Sequence, residues 1–234
     1  MKYTFQLVKI YQIPLKIHWS FSLLILYVAG SAWYQNASKE AIFLHSAFII
    51  AIFTCILLHE LGHAAAAAFH GVKTKEIILL PIGGAAVFEQ KLVRPLQEFT
   101  IAFAGPLTNF TIAALIFIGL KIFTPSSVTY IGIEDQLFSV GNAFFERLMW
   151  LNIIIAAFNL IPAFPLDGGL MLRSILCSFF NRRKAVRFQF FFSIFIALLF
   201  VVYSYLNRAP EYLLFAYLVY FSSRKEWEKV RVNE

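Results

Sequence analysis

Long apolar runs separated by short polar connections dominate the 234-residue chain. Six of them approach the roughly 20 apolar residues that a membrane crossing needs: 17–33, 41–69, 99–123, 148–164, 188–206 and 212–221. The last is short for a span and requires tilt, an interfacial position or help from neighbours. Between the second and third runs, the stretch from Glu76 to Glu89 places two short β-prone segments either side of Gly83-Gly84, which is a hairpin signal. Such a hairpin is either an interfacial loop with a tight turn or an exposed strand edge able to pair with an extended peptide. The pattern predicts an all-α polytopic membrane protein of about six transmembrane helices with a small membrane-associated β-hairpin. Residues 1–222 form one domain in this scheme, and 223–234 form a charged cytoplasmic tail.

The first run has one competing interpretation. Lys2, Lys9 and Lys16 precede it and small residues follow, as in a secretory signal peptide. Its full length and its closing aromatic pair, Trp33-Tyr34, favour a retained helix.

Composition agrees with a membrane location. Hydrophobic residues make up 60% of the chain, with 27 phenylalanines, and charged residues only 14%, against about 25% in soluble domains. The net charge is +7, but the basic residues sit in short loops between apolar runs. Lipid headgroups and topology account for them better than nucleic acid does. With the N-terminus inside and six spans, 16 of the 20 Lys and Arg fall on the cytoplasmic side. Both termini of this multi-pass cell-membrane protein are therefore expected in the cytoplasm. Cys55 and Cys177 have neither a disulfide framework nor metal spacing and are expected to pack in apolar surroundings.

The chemistry concentrates in Leu57-Leu58-His59-Glu60-Leu61-Gly62-His63. On a helix, His59 and His63 project from one face and can share one metal ion, usually Zn²⁺. Glu60 lies beside the open position, where it can take a proton from an activated water. An ionisable triplet within hydrocarbon-length sequence is a functional hypothesis by default. A catalytic zinc usually takes three protein ligands, and the chain holds two aspartates. Asp135 lies with Glu134 in a loop on the outer side. Asp167 follows the fourth run and is presented from Pro162-Ala163-Phe164-Pro165-Leu166-Asp167-Gly168-Gly169, irregular sequence at a depth similar to His59 and His63. Its alternative role is a turn residue capping the next helix. Histidines 18, 45 and 70 are expected to be interfacial or packing residues. In Phe103-Ala104-Gly105-Pro106-Leu107-Thr108-Asn109, Asn109 is a polar group in hydrocarbon, expected to hydrogen-bond across helices.

Three motifs in this order, H-E-L-G-H, A-G-P-L-T-N and N-L-I-P-A-F-P-L-D-G-G, resemble the site-2 protease family of intramembrane zinc metalloproteases. The resemblance covers roughly Lys16 to Leu206. With the L-L-P-I-G-G hairpin and six spans, it is most similar to the bacterial sporulation-type branch that processes pro-sigma factors, here without a C-terminal CBS module. The resemblance implies one Zn²⁺ per chain on His59, His63 and Asp167, with Glu60 as general base and Asn159 helping to stabilise the oxyanion.

The expected activity is peptide-bond hydrolysis in a transmembrane or membrane-associated protein substrate, with the lipid bilayer and a regulatory membrane protein as further partners. A helical substrate must unwind first, because its carbonyls are occupied, and the Gly83-Gly84 hairpin is the candidate to hold the unwound strand. Two alternatives are a zinc transporter, which leaves Glu60 without a task, and a non-catalytic pseudoprotease, against which the intact H-E-x-x-H stands.

Overall fold

The computed structural model describes residues 4–34, 38–81, 83–89, 94–123 and 142–232. Glu134 and Asp135, and the topological lysines Lys2 and Lys91, lie outside the described residues. The chain divides into two units, 1–90 with 107–155 and 91–106 with 156–234. Helix α3 (Pro95–Phe123) and helix α4 (Asn142–Asn159) each contribute to both.

The first unit is built around a four-stranded sheet and a 31-residue helix, α2 (Lys39–Phe69). The strands are β1 (Thr4–Ile10), β2 (Ile13–His18), β3 (Thr74–Leu80) and β4 (Gly83–Phe88), in the order β1-β2-β3-β4. Helix α1 (Phe21–Tyr34) follows β2. The hairpin expected after α2 is present, but it is half of a larger sheet. β2 pairs in parallel with β3, Leu15 opposite Ile77 and Ile17 opposite Leu79. β1 and β2 form a second hairpin, closed by Tyr11 and Gln12, both with positive φ.

This corrects the expectation of a first span over 17–33. Ile13, Leu15 and Ile17 alternate with Pro14, Lys16 and His18, the period of a strand with one inward face, so helix begins only at Phe21. Leu15, Ile77, Leu79 and Ala64 form a buried core in which Ile56, Leu57 and Leu61 of α2 also pack. The sheet is thereby fixed against the part of α2 that carries H-E-x-x-H. A cross-strand pair, Lys16 Nζ to Glu76 Oε2 at 2.5 Å, ties β2 to β3.

The second unit contains the start of α3, the end of α4, helix α5 (Asp167–Phe179), helix α6 (Arg182–Asn207) and helix α7 (Glu211–Val232). Its apolar core joins Ala163 of the α4–α5 connection to Ala197, Ala216 and Val219. Arg173 of α5 is buried and donates to Glu98 and to Glu226 (2.8 Å to the latter). It is therefore a structural ion-pair residue and not one of the headgroup-facing cations that the loop counts imply.

Among the described helices, α2, α3 over Pro95–Ile122 and α6 are long and apolar enough to cross a membrane. The run 148–164 is not one continuous helix: α4 ends at Asn159 and residues 160–166 are irregular.

Candidate active site

Helix α2 starts at an N-cap, Ser38, whose hydroxyl accepts from the Ala41 amide at 3.2 Å, and runs unbroken through the H-E-x-x-H segment. That continuity stacks His59 and His63 one turn apart. Their Nε2 atoms lie 3.1 Å apart and both residues are buried. Two nitrogen ligands of one tetrahedral zinc, each about 2.0–2.1 Å from the metal, stand roughly 3.3 Å apart. The pair therefore fits a shared Zn²⁺.

A relay of buried amides fixes the first histidine. His59 Nδ1 lies 2.5 Å from Asn109 Oδ1. An amide oxygen only accepts, so Nδ1 carries the proton and Nε2 keeps its lone pair for a metal. Asn109 Nδ2 donates to Asn152 Oδ1 at 2.7 Å. Asn152 Nδ2 in turn faces the Leu148 carbonyl at 2.8 Å and Cys55 Sγ at 3.3 Å. Both asparagines are 0% exposed. Asn109 thus sets the tautomer and ring orientation of a proposed ligand, and Asn152 with Cys55 completes the buried polar cluster behind it.

Asn109 was legible as an isolated polar group in an apolar run, but its partner was not. Asn152 stands in α4 with the same signal, one amide amid Leu151 and Ile153-Ile154-Ile155, and only the fold pairs the two.

Glu60 is buried on α2 and packs against β4 at Gly84. The Gly83-Gly84 pair does not form the turn of the hairpin. It opens β4, with Gly83 opposite Leu80 and Gly84 opposite Leu79, because Gly83 with φ 148° is extended in a way side chains disfavour.

His59, Glu60, His63, Gly83 and Gly84 all belong to the first unit; Asn159 and Asp167 belong to the second. Asn159 is the last residue of α4 and Asp167 the first of α5. The N-cap position is Leu166, so Asp167 does not occupy the capping position of α5. Gly168 and Gly169 are helical and buried; a Cβ on either would run into the backbone of 160–164, so their role is close approach of the preceding loop. That loop contains the cis Phe164–Pro165 peptide. The amide of Gln189 donates to the Gly169 carbonyl at 2.8 Å and anchors the start of α5 to α6.

The sequence matches Peptidase family M50 over residues 47–140 and 121–202. It is 33% identical over 233 residues to a zinc metalloprotease of Methanocaldococcus jannaschii, covering 100% of this chain and 63% of that protein. It is 33% identical over 129 residues to Stage IV sporulation protein FB of Bacillus subtilis, covering 55% of this chain and 40% of that one. The chain thus spans less than two thirds of these relatives. The solved site-2 protease from M. jannaschii superposes with a TM-score of 0.67 at 31% identity, covering 96% of this chain and 95% of that one. A match running through α2, α3, α4 and α5, over most of the two units, places this chain in peptidase family M50.

Proposed function

We propose that this chain is a zinc-dependent intramembrane endopeptidase acting on membrane-embedded or membrane-associated proteins. The observation that carries the proposal is the buried pair His59–His63, with the first ring locked by Asn109 and a buried carboxylate, Glu60, one residue on. A transporter needs the histidines but not that carboxylate.

One Zn²⁺ per chain is held by His59 and His63, with Asp167 as third ligand. Asp167 suits the role by donor type and by its place at the head of α5, where two close-packed glycines fix the backbone. When bound, zinc supplies Lewis acidity and lets water ionise near neutral pH. Glu60 accepts the proton lost by the attacking water and returns it to the leaving amine, so the hydroxyl ends on the carbonyl carbon and the hydrogen on nitrogen. Asn159 donates to the developing oxyanion.

β4 stands at an edge of the sheet, and its Gly83-Gly84 end offers backbone groups to an unwound substrate segment as an added strand. Six spans, both termini in the cytoplasm and residues 1–222 as the catalytic domain complete the proposal; residues 223–232 are the charged end of α7, held to the second unit through Glu226 and Arg173. A regulatory membrane protein is a further partner.

The test compares wild type with Glu60→Gln, reading zinc content and cleavage of a tagged membrane-helix substrate in the same liposomes. Zinc stays at one per chain while cleavage falls about 10²- to 10⁴-fold, the usual contribution of a general base. Chelation abolishes cleavage in the wild type, and added zinc restores it. Unchanged cleavage in Glu60→Gln refutes the mechanism.

A further inference from the structure

We propose that Gly84 is a positioning residue for Glu60: the bare backbone of β4 is the surface against which the carboxylate is set. The inference rests on the general-base role of Glu60 proposed above.

The two adjacent glycines differ in what they require. Gly83 has φ 148° and open space where a Cβ would stand, so its demand is conformational. Gly84 has no such φ, yet a Cβ there would lie 2.5 Å from Glu60 Cγ, 2.6 Å from Oε1 and 2.8 Å from Cδ. Three atoms of one side chain account for the need for glycine at 84.

Neither side can retreat cheaply. Glu60 is 6% exposed, so a displaced carboxylate has no open solvent to swing into. β4 is held by its ladder to β3, with Ile78 opposite Ala85 and Leu79 opposite Gly84. β3 is fixed in turn, because Ile77 and Leu79 are packed in the core shared with α2. Carbon atoms in good contact stand about 3.5–4.0 Å apart, so a methyl at 84 forces a movement of roughly 1 Å. A misplacement of about 1 Å at a catalytic group can cost on the order of 10²-fold in rate. The glycine therefore sets where the base sits, separately from any pairing of β4 with substrate.

Four proteins test this: wild type, Gly84→Ala, Glu60→Ala and the double variant. Zinc content, melting temperature after metal removal, and kcat and KM for a tagged membrane-helix substrate are read for each that applies. Gly84→Ala keeps its zinc, loses about 10²-fold in kcat, and holds KM within about threefold. Its metal-free melting temperature falls by roughly 2–12 °C, the range expected for overpacking in a chain of this size. On the Glu60→Ala background the same substitution leaves melting unchanged, because the three opposing atoms are gone.

A Gly84→Ala protein with raised KM and intact kcat overturns the proposal, since Gly84 then serves substrate docking. Equal melting losses on both backgrounds overturn it as well. If Gly84→Ala alone does not fold, a double variant that folds carries the same support, and failure of both overturns it. The melting comparison needs no metal and no catalysis. Normal cleavage by Glu60→Ala therefore sinks the general-base role while the contact between Gly84 and Glu60 is still decided separately.

Discussion

Replacing Asn109 by leucine separates the orientation of His59 from the presence of the histidine itself. Asn109 Oδ1 accepts the hydrogen bond from His59 Nδ1 at 2.5 Å, and Asn109 Nδ2 donates to Asn152 at 2.7 Å. Leucine is close in size, so the cavity contribution is small and the loss is polar. It leaves the His59 N–H and the Asn152 carbonyl without these partners where both asparagine sites are 0% exposed. Each buried orphan costs about 1–3 kcal/mol, which puts the loss of stability at roughly 2–6 kcal/mol. Loss of the partner that orients a metal-bound histidine typically lowers metal affinity or activity by about 10- to 100-fold, or roughly 1.4–2.7 kcal/mol. Zinc affinity is measured by competition with a chromophoric chelator in detergent, and stability by melting of the metal-free protein. Asn152→Leu serves as the control, because it removes a hydrogen bond from Asn109 without touching His59. It loses stability with zinc affinity changed by less than about threefold. Asn109→Leu binding zinc within threefold of wild type refutes the orienting role, whatever its stability.

Two further outcomes follow from the packing of each unit. Arg173→Met strands the buried carboxylate of Glu98 and takes from the half-buried Glu226 one of its two cations, leaving it Lys229 at 3.2 Å, with an expected loss of about 3–5 kcal/mol in melting experiments; Arg173→Lys keeps the charge but loses the two-pronged geometry and falls between. The Lys16 hydrogen bond, reinforced by the charges of Lys16 and Lys75, holds the Glu76 carboxyl below its ordinary value against the opposing effect of burial. A depressed folded pKa gives stability that is full above the ordinary carboxylate range and lost as pH falls through the folded value. Lys16→Met therefore costs about 0.5–1 kcal/mol at pH 7, and melting curves of the two proteins converge as pH falls below the carboxylate range.

Local periodicity carried a definite part of this protein. The apolar runs that became α2, α3 and α6 were visible because each residue's neighbours at i+3 and i+4 are fixed by the chain itself. His59, Glu60 and His63 were legible for the same reason: a four-residue separation on a helix is a spatial separation. The hairpin over 74–88 was also readable, although its turn was misplaced onto Gly83-Gly84, since glycine signals turn, bulge and close approach alike.

What tertiary structure decided are the contacts between segments far apart in sequence. β2 was hidden at the edge of an apolar run because its partner, β3, lies some 60 residues on, and a short alternation near a long hydrophobic stretch reads as helix until the partner strand is known. Asn109 reaches His59 across 50 residues, and Arg173 finds Glu98 and Glu226 across 75 and 53. Hydropathy marks such buried polar groups as costly, and only folding shows which partner offsets the cost. Gly84 is the sharpest instance. Its sequence neighbourhood suggests a turn, whereas its need for glycine comes from the carboxylate of Glu60, brought over it by the packing of α2 on the sheet.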